Sequence, residues 1–213
     1  MEQSKYLRLA REARAEDNSE SAKLYYQKVR EEDPENGEAK FFYAYYALYE
    51  GTNAEFPGRF ADLCKGLKGT LSLIKNSLES KEEQLKMIGE VVGAFVPETW
   101  ANNVYMNRKN REKKVGNQYV QIFSVNTIKT CMKTGMQAVR DLGDEIVKLY
   151  GADPEAKRLA AVAWKEYVSL AQKMYAYAQK GEAEIYAAKV KEVDPSYEMP
   201  KKAGCISLAN SKK

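Results

Sequence analysis

Histidine is absent from all 213 residues. The side chain that most often moves protons near neutral pH and ligates transition metals is therefore missing, which removes nucleophile–histidine pairs and histidine metal sites from consideration. Cysteine is scarce. Cys64, Cys131 and Cys205 are odd in number, far apart and never in a C-x-x-C pair, which fits neither a zinc site nor a disulfide framework and points to a reducing, cytoplasmic setting. Long apolar runs are also lacking: "LAAVAW" at 159–164 is far short of the ~20 residues that cross a bilayer, so no membrane association is expected. The opening "MEQSKYLRLAREARAED" mixes charge with apolar residues where a signal peptide would carry an unbroken apolar core. No glycine cluster has the spacing of a phosphate loop or a dinucleotide fingerprint, "KGLKGT" at 65–70 included. No catalytic residue, metal ligand or cofactor is therefore expected. A catalyst without histidine would need a buried Glu, Lys, Tyr or Cys with a displaced pKa.

What is present is the material of a helical globule. Hydrophobic residues make up 44% of the chain, and 34 basic and 30 acidic side chains are interspersed, leaving a net charge of +4. Mixed charge at this density describes solvated helix faces better than a disordered tail. The positive excess lies in the second half, where residues 101–150 carry 9 basic against 4 acidic side chains.

Periodicity is helical almost throughout. Phe60, Leu63, Cys64, Leu67, Leu71, Ile74 and Leu78 recur at steps of three and four, predicting an amphipathic helix over 59–79. Ser80 and Glu83 stand at capping-box spacing before a second helix that buries Leu85, Ile88, Val92 and Phe95 and that Pro97 should stop or kink. "QYVQIFSVNT" at 118–127 is rich in β-formers. It leads into Ile128, Met132, Gly135, Val139, Leu142, Ile146 and Leu149, a heptad stripe that packs either inside the chain or between two chains. Asp153 and Pro154 form an N-cap and first-turn pair for a helix expected to reach Gln179.

One phrase is written twice. "AKLYYQKVREEDP" at 22–34 and "AEIYAAKVKEVDP" at 183–195 agree at seven of thirteen positions, 161 residues apart. In the first copy Ala22, Tyr25, Tyr26 and Val29 share a helix face and Asp33–Pro34 ends it. Tyr6, Leu9, Ala10 and Ala13 supply the facing stripe, with Asp17 and Glu20 at cap spacing between, so the pair reads as a helical hairpin. These positions resemble the tetratricopeptide repeat, W-x2-L-G-x2-Y, A-x3-F and P. Tyr6, Leu9, Ala10, Ala13, Ala22, Tyr26 and Pro34 fill the slots in order, and Tyr167, Leu170, Ala171, Met174, Ala183, Ala187 and Pro195 fill them again. Ala13 and Ala187 stand where the family has aromatic residues. The spacing of 161 is not a multiple of the family's 34-residue period, so the array cannot be continuous.

The expected architecture is all-α: antiparallel hairpins of a tetratricopeptide-like α-solenoid, interrupted by a helical insert. Residues 1–50 hold one hairpin and the first helix of a further repeat, 51–152 the insert, 153–196 a long helix and the second hairpin, and 197–213 a tail, all within one domain. The resemblance implies a scaffold that holds a peptide or partner helix on the concave surface of successive first helices, here formed by Leu7, Arg11, Arg14, Phe41, Tyr45 and Tyr49. Arginine beside aromatic rings suits an acidic peptide with an apolar anchor. Alternatively, these arginines pair with Glu12 and Glu16 and the rings pack on the insert. A second candidate is "YMNRKNREKK" at 105–114, where Arg108, Lys109, Arg111, Lys113 and Lys114 lie near Trp100, Tyr105 and Tyr119. Cations neutralise phosphates and rings stack on bases, giving a nucleic-acid reading, which the modest net charge disfavours.

Overall fold

The computed structural model describes residues 4–112, 114–115, 118–174 and 178–202. Its elements are α1 (Lys5–Ala15), α2 (Ser19–Glu32), α3 (Gly37–Tyr46), α4 (Phe56–Ser77), α5 (Lys81–Glu112), the strand pair β1 (Lys114–Val115) and β2 (Gln118–Tyr119), α6 (Val125–Tyr150), α7 (Pro154–Lys173) and α8 (Glu182–Val193). The fold is all-α apart from that antiparallel ribbon, in which Lys114 pairs with Tyr119 and Val115 with Gln118.

The twin phrases become α2 and α8, the second arms of the α1–α2 and α7–α8 pairs. Their ends match atom for atom. Asp33 accepts at Oδ1 from the N–H of Glu35 at 3.1 Å, and Asp194 from that of Ser196 at 3.1 Å. The N–H of Asp33 donates to the Val29 carbonyl and that of Asp194 to the Val190 carbonyl, at 2.7 and 2.8 Å. Asp before Pro thus closes the last turn with backbone and side chain together. Ala22 and Ala183 are both buried where each pair crosses, since a methyl group lets two helix axes approach closely. Higher contacts differ: the buried Tyr26 donates forward to Glu38 of α3 at 2.9 Å, whereas Tyr186 donates back to Asp144 of α6 at 2.5 Å.

Several helices begin with a side-chain cap. Ser80 Oγ accepts from the N–H of Glu83 at 3.1 Å, Asn36 from Ala39 at 3.0 Å, and Asp153 from Glu155 and Ala156 at 2.9 and 3.1 Å. One cap differs from expectation: α2 is capped by Asn18, which accepts from Ser21 at 3.1 Å, because Asp17 adopts a left-handed φ of 55° and turns the chain one residue earlier.

Packing runs in order along the chain, α1 on α2, α2 on α3, α3 on α4, then α4 on α6, α6 on α7 and α7 on α8. Helix α5 leaves this succession and lies across it, packed on α6 and α7, touching α3 and meeting its sequence neighbour α4 only lightly. Buried residues from all eight helices form one continuous core. The heptad stripe of α6 is spent inside the chain, with Gly135, Val139, Leu142 and Ile146 buried.

Three expected boundaries move. Pro97 does not end its helix; α5 continues to Glu112. The proline ring is on the exposed side of the helix and Gly93, four residues earlier, presents no side chain beside it. Buried Phe95, Thr99, Asn102 and Met106 hold the turns before and after it, enough to offset the ~3 kcal/mol preference against interior proline. The β-forming stretch contributes only the two residues of β2 before Phe123 enters the core and Ser124 caps α6. Helix α7 stops at Lys173 rather than Gln179, because the chain must reverse for Ala183, Ala187 and Val190 to reach the core. Residues 175–177, Lys113, Cys205 and the remainder of the tail from 203 lie outside the described residues. No described helix is long and apolar enough to cross a membrane.

Candidate partner-binding surface

The six residues expected to line a concave surface are already engaged within the chain. Leu7 (8% exposed) and Phe41 (2%) are core residues, a correction: α1 buries Leu7 beside the expected Ala10 and Ala13, with Tyr6 packed at the edge of the core. Arg11 clamps Glu38 of α3 from Nε at 3.0 Å to both carboxylate oxygens and from a terminal nitrogen at 2.5 Å. Arg14 pairs with Glu90 of α5 while its guanidinium sits 4.1 Å from the Phe42 ring centre. Neither pairs with Glu12 or Glu16; Glu12 is held instead by Arg8 at 2.7 Å. Tyr45 is half-buried and stacks on Phe41 at 5.9 Å. Tyr49 packs on Phe56 and Tyr105, and its hydroxyl bonds Glu98 and Asn102 of α5. Of the six, Arg14 and Tyr49 reach α5 of the same chain, and Tyr49 keeps 45% of its surface exposed.

Glu98 is buried where α5 meets Tyr49. Burial pushes its carboxyl above the ordinary value of 4.5, opposed by the Tyr49 hydroxyl. The folded chain therefore binds this proton more tightly than the unfolded chain. The associated stability is present below the unfolded value and is lost as the pH rises through the folded one. Glu98→Gln keeps an acceptor for Tyr49 and is expected to raise stability at pH 7 and flatten the decline above pH 4.5. Urea melts of both chains across pH 4–8 check this, and parallel pH profiles would contradict it.

Helix α5 turns a different face outward. Gly93, Pro97, Trp100, Ala101 and Val104 are all exposed, Trp100 at 38% and Val104 at 51%. Steps of three and four place them on one side, a strip ~16 Å long at 1.5 Å per residue. The same side continues into exposed Arg108 and Arg111. Lys173 of α7 reaches over Trp100, its Nζ 4.7 Å from the ring. This strip was readable in the sequence at spacings of 4, 3, 1 and 3, but ending the helix at Pro97 cuts it in two.

The basic stretch divides. Arg108 and Lys109 bond Glu112 at 3.3 and 2.7 Å. Arg111 has no acidic partner among the described residues, and Lys114 lies 4.6 Å from the Tyr119 ring centre. Tyr105, expected to stack on a base, is instead half-buried against Phe56 at 4.7 Å and donates to Asn53 at 2.9 Å. The structure thus brings Arg108, Arg111 and Trp100 to one helix face and removes Tyr105 from it.

Among the described residues, two of the clefts bear on function. One of about 310 Å³ between α4 and α6 is lined by Phe60, Asn126, Thr127, Thr130, Cys131 and Thr134 among others, with no ionisable group besides the thiol. Burial raises the pKa of Cys131 and pushes that of nearby Cys64 up to about 12, the opposite of what a nucleophile needs. The other, an open furrow of about 810 Å³ between the starts of α5 and α7, has Leu85, Gly89 and Leu159 on its floor. On its rim Lys81 is paired with Asp153 and Arg158 with Glu155. Among the described residues no three Asp, Glu, Cys or His side chains gather to hold a metal ion. Compared with known protein families, curated proteins and solved structures, the chain matches none of them.

Proposed function

We propose that this protein is a non-catalytic interaction scaffold in which tetratricopeptide-like hairpins at both ends support a central helix, α5, that presents the binding surface. The observation that carries this reading is the exposed apolar strip Pro97–Trp100–Ala101–Val104. Contiguous apolar surface on a soluble domain marks an interaction site far more often than scattered exposed residues do. The resemblance implies a peptide or partner helix held across successive hairpins. The crossing position of α5 favours moving that role from Leu7, Arg11, Arg14, Phe41, Tyr45 and Tyr49 to the outer side of α5.

The test is affinity capture from native extract with the wild-type chain and with Trp100→Glu/Val104→Glu. Both positions are exposed, so circular dichroism and melting should match wild type while the captured partner is lost. A wild-type chain that retains nothing, or a double variant that retains the same partner, would sink the proposal. A nucleic-acid role for Arg108, Lys109, Arg111, Lys113 and Lys114 is the weaker alternative, and it requires affinity to fall steeply with added salt.

A further inference from the structure

From the charges around the strip we infer that its occupant is an amphipathic helix with an acidic first turn, lying antiparallel to α5. This rests on the scaffold reading and names the partner's chemistry. The strip is bounded unequally. Towards the α5 C-terminus it meets Arg108 and Arg111, with only Glu112 as a counter-charge on that last turn, and in its middle stands the Lys173 ammonium. Towards the N-terminus the same side carries Lys86 and Glu90, and Glu90 is bound to Arg14. Acidic side chains therefore gain most at the C-terminal end of the strip. A helix stabilises acidic residues in its own first turn, through the unpaired N–H groups there. Both preferences are met together only when the partner's N-terminus lies over Arg108 and Arg111.

Other occupants fit less well. In a second copy paired antiparallel about the middle of the strip, Arg111 would face Lys86 and Arg108 would face only Glu90, which is already bound to Arg14, while in a parallel pair Arg108 would face Arg108. Nucleic acid would need open ring faces, but Tyr105 is packed away and Trp100 and Tyr119 each carry a lysine ammonium over the ring. Aliphatic Val104 and Ala101 offer nothing to stack on.

The test uses the full chain and a display library of 18-residue helical peptides with a fixed leucine face and the other positions randomised. Enriched peptides should carry Asp or Glu in the first turn, bind at least tenfold more weakly to Trp100→Glu, and bind at least tenfold more weakly to Arg108→Glu/Arg111→Glu. The latter variant should instead enrich peptides with a basic first turn. Enrichment that depends on Trp100 without any acidic bias, or with the acids in the last turn, overturns this inference and leaves the scaffold reading standing. If no peptide depends on Trp100, both fall. Tighter Trp100-dependent binding to anionic phosphatidylserine vesicles or to single-stranded DNA, or dimerisation in sedimentation lost with Trp100→Glu, also overturns it.

Discussion

Glu38→Ala is expected to lower unfolding free energy by about 3 kcal/mol, near the bottom of the range for breaking a buried ion pair. Glu38 is 5% exposed and receives Arg11 from α1 and Tyr26 from α2, with Arg14 a further 3.9 Å away. One carboxylate therefore joins the first three helices. Burial raises the pKa of Tyr26, and the Glu38 charge raises it further. Without Glu38 the Tyr26 hydroxyl loses its acceptor inside the core and Arg11 loses the charge that compensates its burial, while Arg14 keeps Glu90. Arg11 is about one-third exposed and can turn to water, which keeps the loss near the lower limit. A chain of this size should melt roughly 6–12 °C lower. Glu38→Gln retains the hydrogen-bond acceptor for Tyr26 and should recover part of the difference. Denaturant melts of the two variants measure both quantities; a Glu38→Ala chain within ~0.5 kcal/mol of wild type would show that the cluster contributes no more than an ordinary surface position.

Gly143→Ala should destabilise by about 2–3 kcal/mol, the upper part of the range for overpacking a core. Gly143 of α6 faces Trp164 of α7, and an added Cβ would lie 2.6 Å from the indole Cδ1. The ring is 5% exposed and cannot swing into solvent, so α6 and α7 must separate along their shared length. The collision is with a side chain, so it can be relieved. Trp164→Leu alone loses packing, but combined with Gly143→Ala its cost should fall short of the sum by about 1 kcal/mol or more. Strict additivity in that double-mutant cycle would mean the clash is absorbed elsewhere. Gly37 offers the contrast: its added Cβ would meet the backbone N of Ile74 at 2.7 Å, and no neighbouring truncation can rescue that.

These cases mark where residue patterns were sufficient. The stripe Phe60–Leu63–Cys64–Leu67–Leu71–Ile74 was legible and is buried as read, because steps of three and four fix a face whatever lies opposite. Caps at Ser80 and Asp153 were legible for the same reason: donor and acceptor are two or three residues apart. Pro97 was expected to stop or kink its helix, and it does not stop it because its local preference is small beside the burial of Phe95, Asn102 and Met106. Arg14 was misread because its partner, Glu90, is 76 residues away.

The amino-acid order by itself determined the eight described helices, most of their ends and the twin Asp–Pro turns, all decided by interactions within one or two turns of the chain. Only the tertiary structure decided that α5 would pack on α6 and α7, reach Arg14 of α1 and Tyr49 through Glu90 and Glu98, and leave Trp100 and Val104 exposed. The reason is one of range: a helix face states that it must be covered, but which distant helix covers it depends on the shape and charge of every surface competing for the same place.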